Sequence, residues 1–199
     1  MKINQDLPFY TILGIAILKG YPNLARYILL KFSTIIIKEE KNYYLLFASE
    51  NNNLEIIKLL VQYGANVNAM NNYGQTPLNW AARMGYLDIV KYLVSKGADV
   101  NLRRDYAASS ALMDAAENNN IEIVKFLLEK GAKTEFHDYH GYTALITASI
   151  KGYFEIVKLL VAKGANINAK DFQGATALKR AIWNNHGNIA AYLRSVGAR

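Results

Sequence analysis

Cysteine is absent from the 199 residues, which excludes disulfides and thiolate metal sites outright. That suits a reducing compartment, and the cytoplasm is the expected location. Long apolar runs are missing too, so no segment is expected to span or bind a membrane. The stretch from Leu7 to Leu18 follows Lys2 much as the core of a secretory signal would. Asp6 stands where such signals are positive, and no small-residue cleavage pattern follows, so the stretch is read as part of the fold. Histidine is scarce, with three in all. The chain has no glycine-rich phosphate loop, nucleophile elbow or His-Glu-x-x-His motif. No catalytic residue, enzyme activity or cofactor is therefore expected. Charge of one sign along the length is the last absence. The net charge of +7 comes from residues 1–37, at +3, and residues 170–199, at +4, while the middle is neutral. A groove that tracks phosphates needs positive charge along its length, so nucleic acid is not the expected partner.

What the chain does have is a period. Gly64, Gly97, Gly131, Gly164 and Gly197 are each followed by Ala and lie 33 or 34 residues apart. The text before each pair recurs, as in Leu87–Ala98, Ile121–Ala132 and Phe154–Ala165. Such a period means one supersecondary unit stacked on itself, with surface buried only against neighbours. A single all-α solenoid of about six helix-turn-helix units follows, and the 52% apolar content suffices for a continuous core. The units run approximately 6–37 (a degenerate N-terminal cap), 38–70, 71–103, 104–137, 138–170 and 171–199 (a C-terminal cap).

Within a unit the residues read as helix, turn, helix, loop. Thr11, Thr76, Ser110, Thr143 and Thr176 stand where an N-cap belongs, and Pro77 takes the first helical position. A Leu and, three residues on, an Ala recur at 13 and 16, 45 and 48, 78 and 81, 112 and 115, 145 and 148, and 178 and 181. That spacing puts both on one helix face, where the small Ala lets a neighbouring helix approach. Gly20, Asn52, Gly85, Asn119, Gly152 and Asn185 then occupy the turn, the two residue types that most readily adopt a left-handed conformation. The second helix carries a buried ridge such as Ile89, Val90, Tyr92, Leu93 and Val94. Lys179, Arg180 and Arg194 replace apolar residues in the last unit, as a water-facing end requires. Phe32 stands where the first unit should have its closing Gly, which predicts an irregular exit.

Thr76-Pro-Leu-Asn-Trp-Ala-Ala82, Gly85 and the Gly97-Ala-Asp-Val-Asn101 close resemble an ankyrin repeat, and the closes at 64–68 and 164–168 are similar. The resemblance covers residues 38–199 firmly and 6–37 weakly. It implies paired helices with projecting β-turn fingers, and a concave surface lined by fingers and first helices that binds another protein. Two departures stand out. The usual His after Thr-Pro-Leu is replaced by Leu46, Asn79, Met113, Ile146 or Lys179, which implies a less rigid array. An extra residue, Arg103 or Arg104, predicts a bulge in one finger.

Candidate partner-binding residues follow from those surfaces. Tyr73, Tyr106, Tyr139 and Phe172 recur at 33-residue spacing on the fingers, with Gln75, His140 and Tyr142 nearby. Exposed rings lose little entropy on binding and often dominate interfaces; alternatively these stiffen one finger against the next. Arg83, Met84, Glu117, Asn118, Ile150, Lys151, Trp183 and Asn184 end the first helices, and the apolar ones among them read either as contact surface or as ordinary scattered exposure. Trp80 is assigned to the core. Lys58, Lys91, Lys125 and Lys158 each follow an acidic residue by three, which makes a solvated outer face rather than a basic stripe. His137-Asp138-Tyr139-His140 supports the alternative function, a small-ligand or metal receptor, although a closed metal site needs three or four converging ligands. The expected function is a non-catalytic, monomeric interaction module. Its twenty asparagines, with many Ile and Lys, hint at an AT-rich genome and suggest a host-directed effector or the neutralising partner of a toxin.

Overall fold

The computed structural model describes residues 8–32, 34–103 and 109–199, with backbone alone for residues 8–11. Among the described residues twelve helices pair off along the chain: α1 (Pro8–Lys19) with α2 (Pro22–Phe32), α3 (Lys38–Glu50) with α4 (Leu54–Gln62), and α5 (Pro77–Met84) with α6 (Leu87–Ser95). Then come α7 (Ala111–Glu117) with α8 (Ile121–Glu129), α9 (Ala144–Lys151) with α10 (Phe154–Ala162), and α11 (Ala177–Trp183) with α12 (Gly187–Ser195). The result is the all-α repeat solenoid that the period requires.

Capping fixes where the later first helices begin. Thr76, Ser110, Thr143 and Thr176 each accept a hydrogen bond from the backbone N–H three residues on. The first two units depart from this pattern. Thr11 lies inside α1 rather than capping it, because that helix starts at Pro8, whose ring suits a first turn. Similarly, α3 starts at Lys38, where Glu39 and Glu40 favour a helix N-terminus, and Ile37 N–H donates to Glu40 Oε2 at 3.0 Å. The link from α2 to α3 is correspondingly short, and among its described residues Ile35 and Ile36 N–H both bond back to Phe32 O.

All six Leu-x-x-Ala pairs are buried. Of the second-helix ridge, Ile89, Val90 and Leu93 are buried with their counterparts in the next two units, while Tyr92 and Val94 are half-buried against the core. Every buried Leu contributes about 1.5–3 kcal/mol. From α3 onward first helices pack on one another much more closely than second helices do, which puts the first helices on the inner side of the stack there. At the start, α2 packs on α4 more closely than α1 does on α3.

The six turn residues all adopt positive φ, from 57° at Asn52 to 82° at Gly85. Gly and Asn are not interchangeable there, however. Asn53, Asn120 and His186 open the second helices of alternate units and reach back to the preceding unit. Asn120 Nδ2 donates to Ala82 O (2.7 Å) and Arg83 O (3.0 Å), Asn53 Nδ2 donates to Ile17 O, and His186 Nε2 lies 2.9 Å from Ile150 O. These carbonyls end helices, where the intrahelical ladder runs out, and Ile17 O also accepts from Gly20 N–H. The turn residue beneath each incoming side chain is Gly. A Cβ would meet Asn53 at 3.3 Å from Gly20, Asn120 at 2.9 Å from Gly85 and His186 at 2.6 Å from Gly152. The alternate units have Asn at the turn, with Tyr86 or Tyr153 beginning the next second helix. The true structural repeat is thus a pair of units.

On the far side of each unit the final Asn of the Gly-Ala-x-x-Asn close joins neighbours. Asn68 Nδ2 donates to Gly97 O while its Oδ1 accepts from Asp99 N, and Asn101 repeats this with Gly131 O and Lys133 N.

Candidate interaction face

Three described fingers share one turn. Asn71, Asp138 and Asp171 each accept from the backbone N–H two and four residues on, and Gly74, Gly141 and Gly174 close the turns at φ of 74–80°. This register corrects the aromatic column. Tyr73 stands one residue before its Gly, whereas Tyr139 and Phe172 stand two before theirs. The position equivalent to Tyr73 is His140 or Gln173, because the 34-residue spacing from Gly97 to Gly131 shifts the count. Tyr106 and Arg104 fall outside the described residues.

Tyr73, Tyr139 and Phe172 are nevertheless strongly exposed. Phe172 also stiffens the array: its N–H donates to His140 O (3.1 Å), and its ring meets His137 edge-on at 5.4 Å. Gly141 sits beneath it, where a Cβ would lie 2.7 Å from Phe172 N. Gln75 is half-buried and accepts from Asn71 Nδ2 within its own finger (3.0 Å).

The last two units bring rings and a guanidinium together in one strip. Tyr139 lies 4.1 Å from His140, and His140 lies 5.3 Å from Tyr142. Arg180 then stands 5.2 Å from the rings of both Tyr142 and Trp183. Arg180 is fixed in place, its Nε donating to Asp171 Oδ2 at 2.8 Å and its other nitrogen to Gln173 Oε1 at 2.7 Å. Burial alone would raise the Asp171 carboxyl, but the Arg180 bond and the N–H groups of Ala175 and Gln173 outweigh it and hold the carboxyl below the usual range. Arg180 was read from sequence as a solvent-facing cap residue. Its partners Tyr142 and Asp171 are remote enough along the chain that no local pattern announces them.

At the first-helix ends Met84 and Trp183 are exposed, as expected. Ile150 is not; it is half-buried against the core, and its carbonyl faces His186. Asn118 and Asn184 cap their own helices by donating to Asp114 O and Arg180 O, and Glu117 and Lys151 approach to 4.0 Å across units. Trp80, assigned to the core, is half-buried outside it, 5.7 Å below the Arg83 guanidinium. On the outer face Lys58 and Lys158 pair with Glu55 and Glu155 at 2.7 Å.

Arg83 belongs to a polar junction that spacing did not reveal. Asp114, 1% exposed, accepts from Arg83 (2.8 Å), Asn79 Nδ2 (2.6 Å) and Ser109 Oγ (3.2 Å). Asn79 Oδ1 in turn accepts from Thr76 N–H and Oγ–H. Burial pushes the Asp114 carboxyl up, against the pull of Arg83, Asn79 and Ser109.

His137 and His140 spend their rings on packing, and His137 Nδ1 lies 3.0 Å from Asp138 O. Among the described residues no three His, Asp or Glu gather as metal ligands. No helix of the described residues is long and apolar enough to cross a membrane.

A family model described as ankyrin repeats in three copies matches residues 13–104 and again residues 112–199. The chain belongs to the ankyrin-repeat family. No curated protein matches it. Ankyrin repeats are in general modules of protein–protein interaction and typically have no catalytic role. Asn79 accordingly takes the place of the histidine usual in an ankyrin unit, and with Asp114 it still ties two units together.

Proposed function

We propose that this ankyrin protein is a non-catalytic monomer that holds a partner protein against its fingers and first-helix ends, chiefly at the last two units. The observation that carries this reading is the Tyr139–His140–Tyr142–Arg180–Trp183 strip. Rings held by neighbours lose little entropy on binding, and Tyr, Trp and Arg are the side chains that most often dominate an interface. Phe172, Lys151 and Asn184 lie near it in the same units. Tyr73 and Met84 extend the surface toward the middle of the stack. The reducing environment that a cysteine-free chain suits makes the cytoplasm, its own or a host's, the proposed location. Neither nucleic acid nor membrane is part of the proposal.

Affinity capture followed by mass spectrometry tests it. Tyr139→Ala with Trp183→Ala should deplete the specific partner at least tenfold, while Lys58→Ala with Lys158→Ala on the outer face leaves capture unchanged. Equal capture by both variants would place the interface elsewhere.

A further inference from the structure

The first unit breaks a burial rule that the other five keep. Counting from the left-handed turn residue, Ile12 is equivalent to Tyr44, Pro77, Ala111, Ala144 and Ala177, all of which are buried. Ile12 is 38% exposed. Leu24 is equivalent to Ile56, Ile89, Ile123, Ile156 and Ile189, none above 2% exposed, yet Leu24 is at 36%. Tyr27, at 56%, matches Leu59 at 5% and the half-buried Tyr92 and Phe126. Asp114 shows which way these positions face. It is equivalent to Ile15, and its carboxylate meets Arg83 and Asn79 of the preceding unit. Ile12, Ile15, Leu24 and Tyr27 therefore form the surface against which a preceding helical hairpin stacks everywhere else in the molecule. At the other end of the stack the last unit presents Lys179 and Arg194 instead, both exposed.

Charge narrows the occupant. Residues 8–32 include Lys19, Arg26 and Lys31 and not one acidic residue. Residues 170–199 at the other end carry +4. A second copy docked end to end, in either sense, would set basic against basic. We propose that the outer face of α1 and α2 is a docking surface for an amphipathic helical segment of another protein, its apolar stripe flanked by Asp or Glu. The internal stack supplies the geometry and the cations supply the sign. This surface is separate from the ring strip and does not depend on it.

The test uses the full chain and a fluorescein-labelled helical peptide with leucines at i, i+3, i+4 and i+7 flanked by glutamates. Saturable binding is expected, at least tenfold weaker for the same peptide with lysines as flanks. Ile15→Gln with Tyr27→Gln should abolish binding without changing the thermal midpoint, since both side chains are exposed, and Tyr139→Ala with Trp183→Ala should leave it intact. Equal affinity for both peptides, no binding of either, or binding that survives the Gln substitutions would overturn the proposal. It would equally fall if those substitutions instead removed a dimer seen by sedimentation velocity, or removed co-pelleting with phosphatidylserine vesicles.

Discussion

Asp114 is the side chain on which the middle of the molecule turns. Removing its carboxylate strands Asn79, Ser109 and the half-buried Arg83 together. Asp114→Ala is therefore expected to cost about 3–5 kcal/mol in urea unfolding, as breaking a buried ion pair does. Asp114→Asn keeps a carbonyl oxygen for Asn79 and should cost less. The two perturbed carboxyls respond to pH in opposite senses. Asp114 titrates higher in the folded state, so its contribution is present below the unfolded value of about 3.9 and is lost as pH rises through the folded value. Asp171 titrates lower, so its contribution is present above about 3.9 and disappears as pH falls through the folded value. Urea midpoints measured across the acid range should show Asp171→Asn flattening the loss of stability toward low pH, while Asp114→Asn removes the opposing slope. The caps at Thr76, Ser110, Thr143 and Thr176 and the left-handed turn residues were legible in the sequence because each needs only its immediate neighbours; Thr11 was misplaced because α1 begins earlier, at Pro8. The Asn79–Asp114 and Arg180–Tyr142 contacts were not, since they join residues 35 and 38 apart whose types alone name no partner.

At the level of helices and turns, the alternation of units makes one glycine costlier to replace than another. Gly152 and Gly164 share φ of 81°, so an added Cβ strains both backbones by about 1 kcal/mol. Only at Gly152 does that Cβ also strike a neighbour, His186 at 2.6 Å, whereas nothing lies within 4 Å of the Cβ position at Gly164. Gly152→Ala should accordingly lower the thermal midpoint clearly more than Gly164→Ala. A His186→Ala background should erase that excess, and a double-mutant cycle reads it directly. All twelve helices and their pairing could be read from the period. The alternation could not, because Gly and Asn satisfy the same backbone preference and differ only in the room they leave above them. The finger register slipped for a similar reason: a 33-residue count cannot see where an inserted residue falls.

For the molecule as a whole, stability is close to a sum of units and the junctions between them. The α5–α8 junction holds its Asp114 network in the middle of the stack. Asp114→Ala should thus loosen the coupling between its two halves as well as lower stability, and hydrogen exchange should show amides of α1–α4 and α9–α12 losing protection at different urea concentrations. In the unaltered chain, α1–α2 and α11–α12, each with a neighbour on one side alone, should exchange before α7–α8.

The short link between α2 and α3 has a steric consequence. Ile35 and Ile36 N–H fold back on Phe32 O, so the described part of that link stays close to the end of α2. The long-range pull of Lys19, Arg26 and Lys31 on an acidic helix should then make its association rate at this end fall as ionic strength rises.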